Sequence, residues 1–233
     1  MTDYVFPPPA APALPVAGSD RAYPVRRIFC VGRNYAAHAA EMGYEVDREK
    51  PFYFTKSCHA LAHSGTVQPY PPGTDNFHFE MELVVALGAP LFQETDRAVA
   101  AKAIFGYACG LDMTRRDLQL SEREQKRPWD LGKDAENSAV IAALTPVADF
   151  GPIAEQRIWL TQNDETRQDA TLSELVWKVD EILCHLSGFY HLGAGDLVMT
   201  GTPAGVGPVV PGDRLRGGID GLDPVTLEIG RAE

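Results

Sequence analysis

From residue 26 onward the chain is cut into short apolar runs, and this punctuation limits its fold more than any other feature. "RRIFCVG", "PFYFT", "MELVVALG", "IFGYACGLDM", "RIWLTQ", "DLVMTG" and "VTLEI" follow one another, bounded by Gly, Pro or Asn/Asp clusters. The pattern predicts a strand-rich, mainly β (α+β) domain. Two segments interrupt it. "NYAAHAAEMG" reads as a short helix with Asn34 as N-cap and Gly43 as terminator, and "TLSELVWKVDEILCHLSGF" as a longer one opened by a Thr171/Glu174 capping box. In the longer one Leu172, Leu175, Val176, Val179, Ile182, Leu183 and Leu186 keep helical spacing, the mark of an element facing the core. "PPPAAPALPVAGSD" is too rich in proline for a regular helix or strand. Residues 1–25 are therefore expected to form an extended arm, and residues 26–233 a single mainly β domain.

With 21 Lys+Arg against 32 Asp+Glu the net charge is -11, which argues against nucleic acid or an anionic membrane as the main partner. Cys30, Cys58, Cys109 and Cys184 stand far apart with no CxxC pair, so neither a zinc knuckle nor a disulfide framework is signalled. No apolar run reaches the roughly 20 residues of a membrane span, and the N-terminus lacks the order of a signal peptide. A soluble, cytoplasmic protein is expected.

One stretch does not fit a buried strand. In "NFHFEMELVV", Glu80 and Glu82 are two apart and so share one face, while Met81, Leu83 and Val85 take the other. Neighbouring carboxylates repel, and burying an unpaired one costs several kcal/mol, so the pair must be wet, protonated or bound to a cation. An edge strand with its acidic face in water satisfies the same pattern. Asp112, at the end of "GYACGLD", would complete an all-oxygen set suited to Mg²⁺ or Mn²⁺. It could equally cap a helix starting in "DMTRRDLQLSEREQ".

His38 and Glu41 lie three apart on the first helix and can hydrogen-bond, an arrangement suited to a general base acting on water, although such a pair taken alone is more often a solvated surface pair. Gly201, Gly205 and Gly207 in "MTGTPAGVGP" invite a phosphate-loop reading, but no GKS or GKT follows and no helix comes next. The backbone N–H groups there, with the Thr202 hydroxyl, could hold a small carboxylate, or the glycines could simply make a tight turn. Lys133 and the cluster Arg115, Arg116, Arg123, Lys126 and Arg127 could draw in an anion. His78 could orient one of the carboxylates. His59, His63, His185 and His191 read as ordinary polar residues.

The motifs HxxE at 38–41, HxExEL at 78–83, DxTxRDxQ at 112–119, Lys133 and "GDLVMTGTPAGVGP" at 195–208 come in an order that resembles the fumarylacetoacetate hydrolase family over roughly residues 26–229. "LPVAGSDRAYPVRRIFCVGRNYAAHAAEMG" and "GLDMTRRDLQ" are most similar to its fumarylpyruvate-cleaving bacterial members. The resemblance implies a mixed β-sandwich roll with a few short helices, and a catalytic domain over 26–233 acting as a homodimer. It implies Mg²⁺ or Mn²⁺ on Glu80, Glu82 and Asp112, and a water-activating dyad of His38 and Glu41. Lys133, Arg116, Gln119 and Thr202 would contact a small anionic 2,4-dioxo acid. A distal carboxylate on that substrate would need a cation, with Arg116, Arg123 and Arg127 as candidates. The same machinery could decarboxylate oxaloacetate or isomerise a 2-hydroxydienoate, and a catalytically silent metal-stabilised binding module is the alternative outside enzymes. The chain departs from the family pattern at Ser57, where proline is common, and at Asp134 and Glu136. Those departures are expected to bear on the acyl pocket.

Overall fold

The computed structural model describes residues 2–43 and 48–232. The apolar runs become strands of two mixed sheets packed face to face. The larger sheet has the order Phe52–Lys56, Arg27–Gly32, Asp196–Met199, Met81–Leu87, Ile104–Asp112, Ala139–Ile141, Leu61–His63. Its pairs are antiparallel except where Asp196–Met199 meets Arg27–Gly32 and where Ala139–Ile141 meets Leu61–His63. Five strands, Glu165–Thr171, Arg157–Gln162, Arg214–Ile219, Val225–Gly230 and Thr66–Pro69, make the second sheet. Helices are few and short; Arg116–Glu124 and Val179–Ser187 have nine residues each.

Every residue of Met81–Leu87 is buried, because the large sheet is covered on both faces. Met81, Leu83, Val85 and Leu87 pack with Ile158, Leu160, Leu215 and Leu227 of the second sheet. Val84 and Ala86 point the other way, into a smaller core with Ile28, Leu14 and Tyr23. Leu14 and Tyr23 belong to the segment expected to be an irregular arm. Instead Ala13–Pro15 and Ala22–Pro24 pair as an antiparallel hairpin. Its prolines stand at strand ends, where a missing N–H breaks no ladder, and the Tyr23 hydroxyl donates to the Leu87 carbonyl at 2.6 Å.

The two expected helices are shorter than their patterns. Helix Ala36–Glu41 has Tyr35, not Asn34, at its N-cap. Asn34 is fully buried and its side chain makes long-range bonds: Nδ2 donates to the Trp177 and Thr200 carbonyls, and Oδ1 accepts from Trp177 N–H at 2.7 Å. The same bonds divide the second helix. Glu174 accepts from Thr171 N–H as the capping box requires, but only a turn over Leu172–Glu174 forms. Val176 N–H then turns to the Asn34 carbonyl, and the helix resumes at Val179.

Candidate active site

Glu80 is in neither strand. Phe77–Phe79 belongs to a small three-stranded sheet with Thr114–Arg115 and Gly207–Pro208, whereas Met81–Leu87 belongs to the large one. Glu80 falls in the gap between them and Glu82 follows in the large sheet, so the expected single strand is two. The shared face is kept. Oxygens of Glu80, Glu82 and Asp112 all lie within 4.8 Å of one another and all three residues are buried. Asp112 ends strand Ile104–Asp112, and the next helix starts at Arg116, so it caps no helix.

Cations meet two of the three acids. Lys133 Nζ lies 2.9 Å from Glu80 Oε2 and 2.7 Å from Asp112 Oδ2, and Arg116 donates to Glu80 Oε1. Lys56 Nζ stands 2.8 Å from Asp112 Oδ1. That oxygen is buried and is aligned for no hydrogen bond. Burial pushes the Glu80 carboxyl up, but Lys133, Arg116 and His38 outweigh it and hold the group well below the usual range. Glu82 goes the other way. Burial, then the charges of Asp112 and Glu80, push it well above its ordinary value. Its hydrogen-bond donor is Gly201 N–H at 2.8 Å, and among the described residues no lysine or arginine forms an ion pair with it. Three buried oxygen donors, one of them short of positive charge, fit a hard divalent cation such as Mg²⁺ or Mn²⁺.

Beside this trio, His38 Nδ1 is 3.1 Å from Glu41 Oε2. A carboxylate on Nδ1–H fixes the tautomer and leaves the other ring nitrogen basic. Glu41 is held in turn by Gly205 N–H, 3.2 Å from both carboxylate oxygens. The glycine segment therefore serves the protein's own acids, Glu82 through Gly201 and Glu41 through Gly205, rather than presenting those amides to a ligand. Only glycine suits Gly205. Its φ is +96°, and a Cβ there would lie 2.0 Å from the Arg167 carbonyl oxygen.

His38, Glu80, Glu82, Arg116, Gln119, Lys133 and Thr202 all line one cleft. Arg116, which lines the cleft, donates to Gln119 as well as to Glu80. Arg123 and Arg33 line the cleft, whereas Arg127 faces Glu122 at 3.9 Å and does not. Thr202 Oγ1 accepts from Gln168 Nε2 at 2.8 Å, and Gln168 Oε1 accepts from Met81 N–H between the two glutamates. His78 pairs through Nε2 with Asn76 Oδ1, and among the described residues it hydrogen-bonds to no carboxylate. The departures at Ser57 and Asp134 lie outside the cleft lining and meet each other: Ser57 N–H donates to Asp134 Oδ1 at 2.7 Å. Glu136 faces Arg115 at 3.9 Å.

Sequence reasoning did not single out Lys56, Gln168 or Arg33, and it gave Asn34 only the role of an N-cap. Lys56 is two residues from the cleft-lining Phe54 on one strand and so shares its face, but nothing in the sequence marks Phe54 as a cleft residue.

A curled, mixed two-sheet body with a buried acidic trio beside a His–Glu dyad defines a class of metal-site enzyme. The chain belongs to the fumarylacetoacetate hydrolase family, whose model, "Fumarylacetoacetate (FAA) hydrolase C-terminal", matches residues 27–229. It is 48% identical over 195 residues to a fumarylpyruvate hydrolase of a Ralstonia species, covering 82% of this chain and 100% of that one. It is 40% identical over 200 residues to the oxaloacetate tautomerase YcgM of Escherichia coli, covering 85% and 90%. A crystal structure of fumarylpyruvate hydrolase from Pseudomonas aeruginosa in complex with Mn²⁺ and pyruvate superposes with a TM-score of 0.94 at 44% identity, covering 98% of this chain and 100% of that one. The mixed-sheet fold expected from the resemblance is the one observed.

Proposed function

We propose that the protein hydrolyses the carbon–carbon bond of an acylpyruvate, fumarylpyruvate above all, giving fumarate and pyruvate. The observation that carries this reading is the His38–Glu41 pair beside the acidic trio, with His38 lining the same cleft as Glu80, Glu82 and Lys133. Mg²⁺ or Mn²⁺ on Glu80, Glu82 and Asp112 would supply a Lewis acid for the 2-oxo acid end of the substrate. His38, oriented by Glu41, takes a proton from water as its oxygen attacks the distal carbonyl. The bond between that carbon and the methylene of the pyruvate unit breaks, the acyl group leaves as its acid, and the electron pair stays on pyruvate as an enolate. Lys133 places positive charge beside it, and a proton on the methylene carbon completes pyruvate. Arg116, Gln119 and Thr202 orient the substrate. A homodimer is part of this reading.

The tautomerase relative supports a second reading, enolate chemistry on oxaloacetate without attack by water. His38→Ala separates the two: it should lower fumarylpyruvate cleavage about 10²-fold or more while leaving enolisation of oxaloacetate largely intact. The decisive measurement follows the ultraviolet absorbance of fumarylpyruvate and acetylpyruvate after chelator treatment, with and without added Mn²⁺ or Mg²⁺. Metal-dependent loss of the chromophore is expected. No loss of either chromophore under any metal condition removes the hydrolase.

A further inference from the structure

Asp112 is gripped from two sides, by Lys133 on Oδ2 and by Lys56 on Oδ1. Its placement therefore depends on how two segments lie against each other, strand Phe52–Lys56 and the helical turn Asp130–Lys133. That turn has four residues, too few to hold its own shape in water. It is fixed from outside. Lys56 Nζ donates to the Lys133 carbonyl. One residue further along each segment, Ser57 N–H donates to Asp134 Oδ1.

We infer that Ser57 and Asp134 are positioning residues: their hydrogen bond sets the register of the two lysines and, through them, the seat of Asp112. This rests on the site as read above. Neither residue lines the cleft and both are exposed, so they act through register rather than by touching a ligand. The bond can be removed from either end. Asp134→Ala deletes the acceptor, and Ser57→Pro deletes the donor. The φ of −56° and ψ of 144° at Ser57 already suit proline. Ser57 Oγ also accepts from His59 N–H at 3.2 Å, a contact that Ser57→Ala tests separately.

The experiment measures Mn²⁺ affinity from the electron paramagnetic resonance signal of the free ion, together with kcat and KM for fumarylpyruvate and thermal unfolding. It compares the parent protein with Asp134→Ala, Asp134→Asn, Ser57→Ala, Ser57→Pro and the Ser57→Pro/Asp134→Ala double variant. Asp134→Ala and Ser57→Pro should each weaken Mn²⁺ binding and lower kcat about three- to tenfold, the scale of one exposed hydrogen bond. The double variant should be no worse than the poorer single, since both remove the same bond. Asp134→Asn, which keeps an acceptor, should stay within about twofold of the parent, as should Ser57→Ala. Wild-type Mn²⁺ affinity and kcat in both single variants, whatever their melting temperatures, overturn the inference, as do losses that add in the double variant. Should the parent protein leave fumarylpyruvate untouched, the hydrolase reading fails while the Mn²⁺ titration still decides this one.

Discussion

His78 shows how a single side chain near the site sets a pH limit. Burial first, then the nearby Arg116 charge, push its imidazole down to about 4. Between pH 6.5 and 4 the unfolded chain takes up a proton that the folded ring refuses, so this residue's contribution to stability is lost as pH falls through that window. Its partial exposure screens the effect to about 1 kcal/mol. His78→Asn should accordingly flatten the fall in stability between pH 7 and 4.5, measured by urea unfolding; an unchanged slope would refute it. At this scale the acidic pair was legible, because a two-residue period puts Glu80 and Glu82 on one face whether or not the strand is continuous. Lys56 was not named. A lysine ending a strand reads as a solvated edge until the chain folds Asp112 and Ser138 against its Nζ.

Between Leu175 and Lys178 the backbone follows Asn34 rather than the helical pattern of its own sequence. Local periodicity reported correctly six of the seven side chains expected to face inward: Leu172, Leu175, Val179, Ile182, Leu183 and Leu186 are buried, whereas Val176, in the stretch that leaves the helix, is only half-buried. It was silent about continuity, because the competing hydrogen bonds come from a residue 143 positions away. Asn34→Ala strands Trp177 N–H and two carbonyls in the interior and should cost about 2–3 kcal/mol. It should also loosen the helix that carries His38. Chemical denaturation checks this, and a loss under about 0.5 kcal/mol would show that water replaces the amide. The glycine segment teaches the same lesson. Its composition advertised free amides, but the groups they serve, Glu41 and Glu82, lie on other elements of the fold.

Over the whole molecule, the strand-rich body was written in the spacing of its apolar runs, whereas the second core was not. That core closes only when the hairpin Ala13–Pro15/Ala22–Pro24 lays Leu14 and Tyr23 on the outer face of the large sheet. Deleting residues 2–11, all exposed, should change thermal stability by less than about 0.5 kcal/mol. Deleting through Pro24 removes Leu14, Tyr23 and the bonds of the Tyr23 hydroxyl to Leu87 and Gly195, and should cost on the order of 4–6 kcal/mol. Equal melting temperatures for the two truncations would contradict this division. Deeper inside, Glu80, Glu82 and Asp112 share one buried region with Lys56, Lys133 and Arg116, and their formal charges cancel. A doubly charged cation on the three acids would tip that balance to an excess of two positive charges among these groups, beside a cleft that Arg33 and Arg123 also line. A dianionic guest would then be held by charge where a neutral molecule of identical outline would not, so a site loaded in this way would sort its visitors by valence before it sorts them by shape.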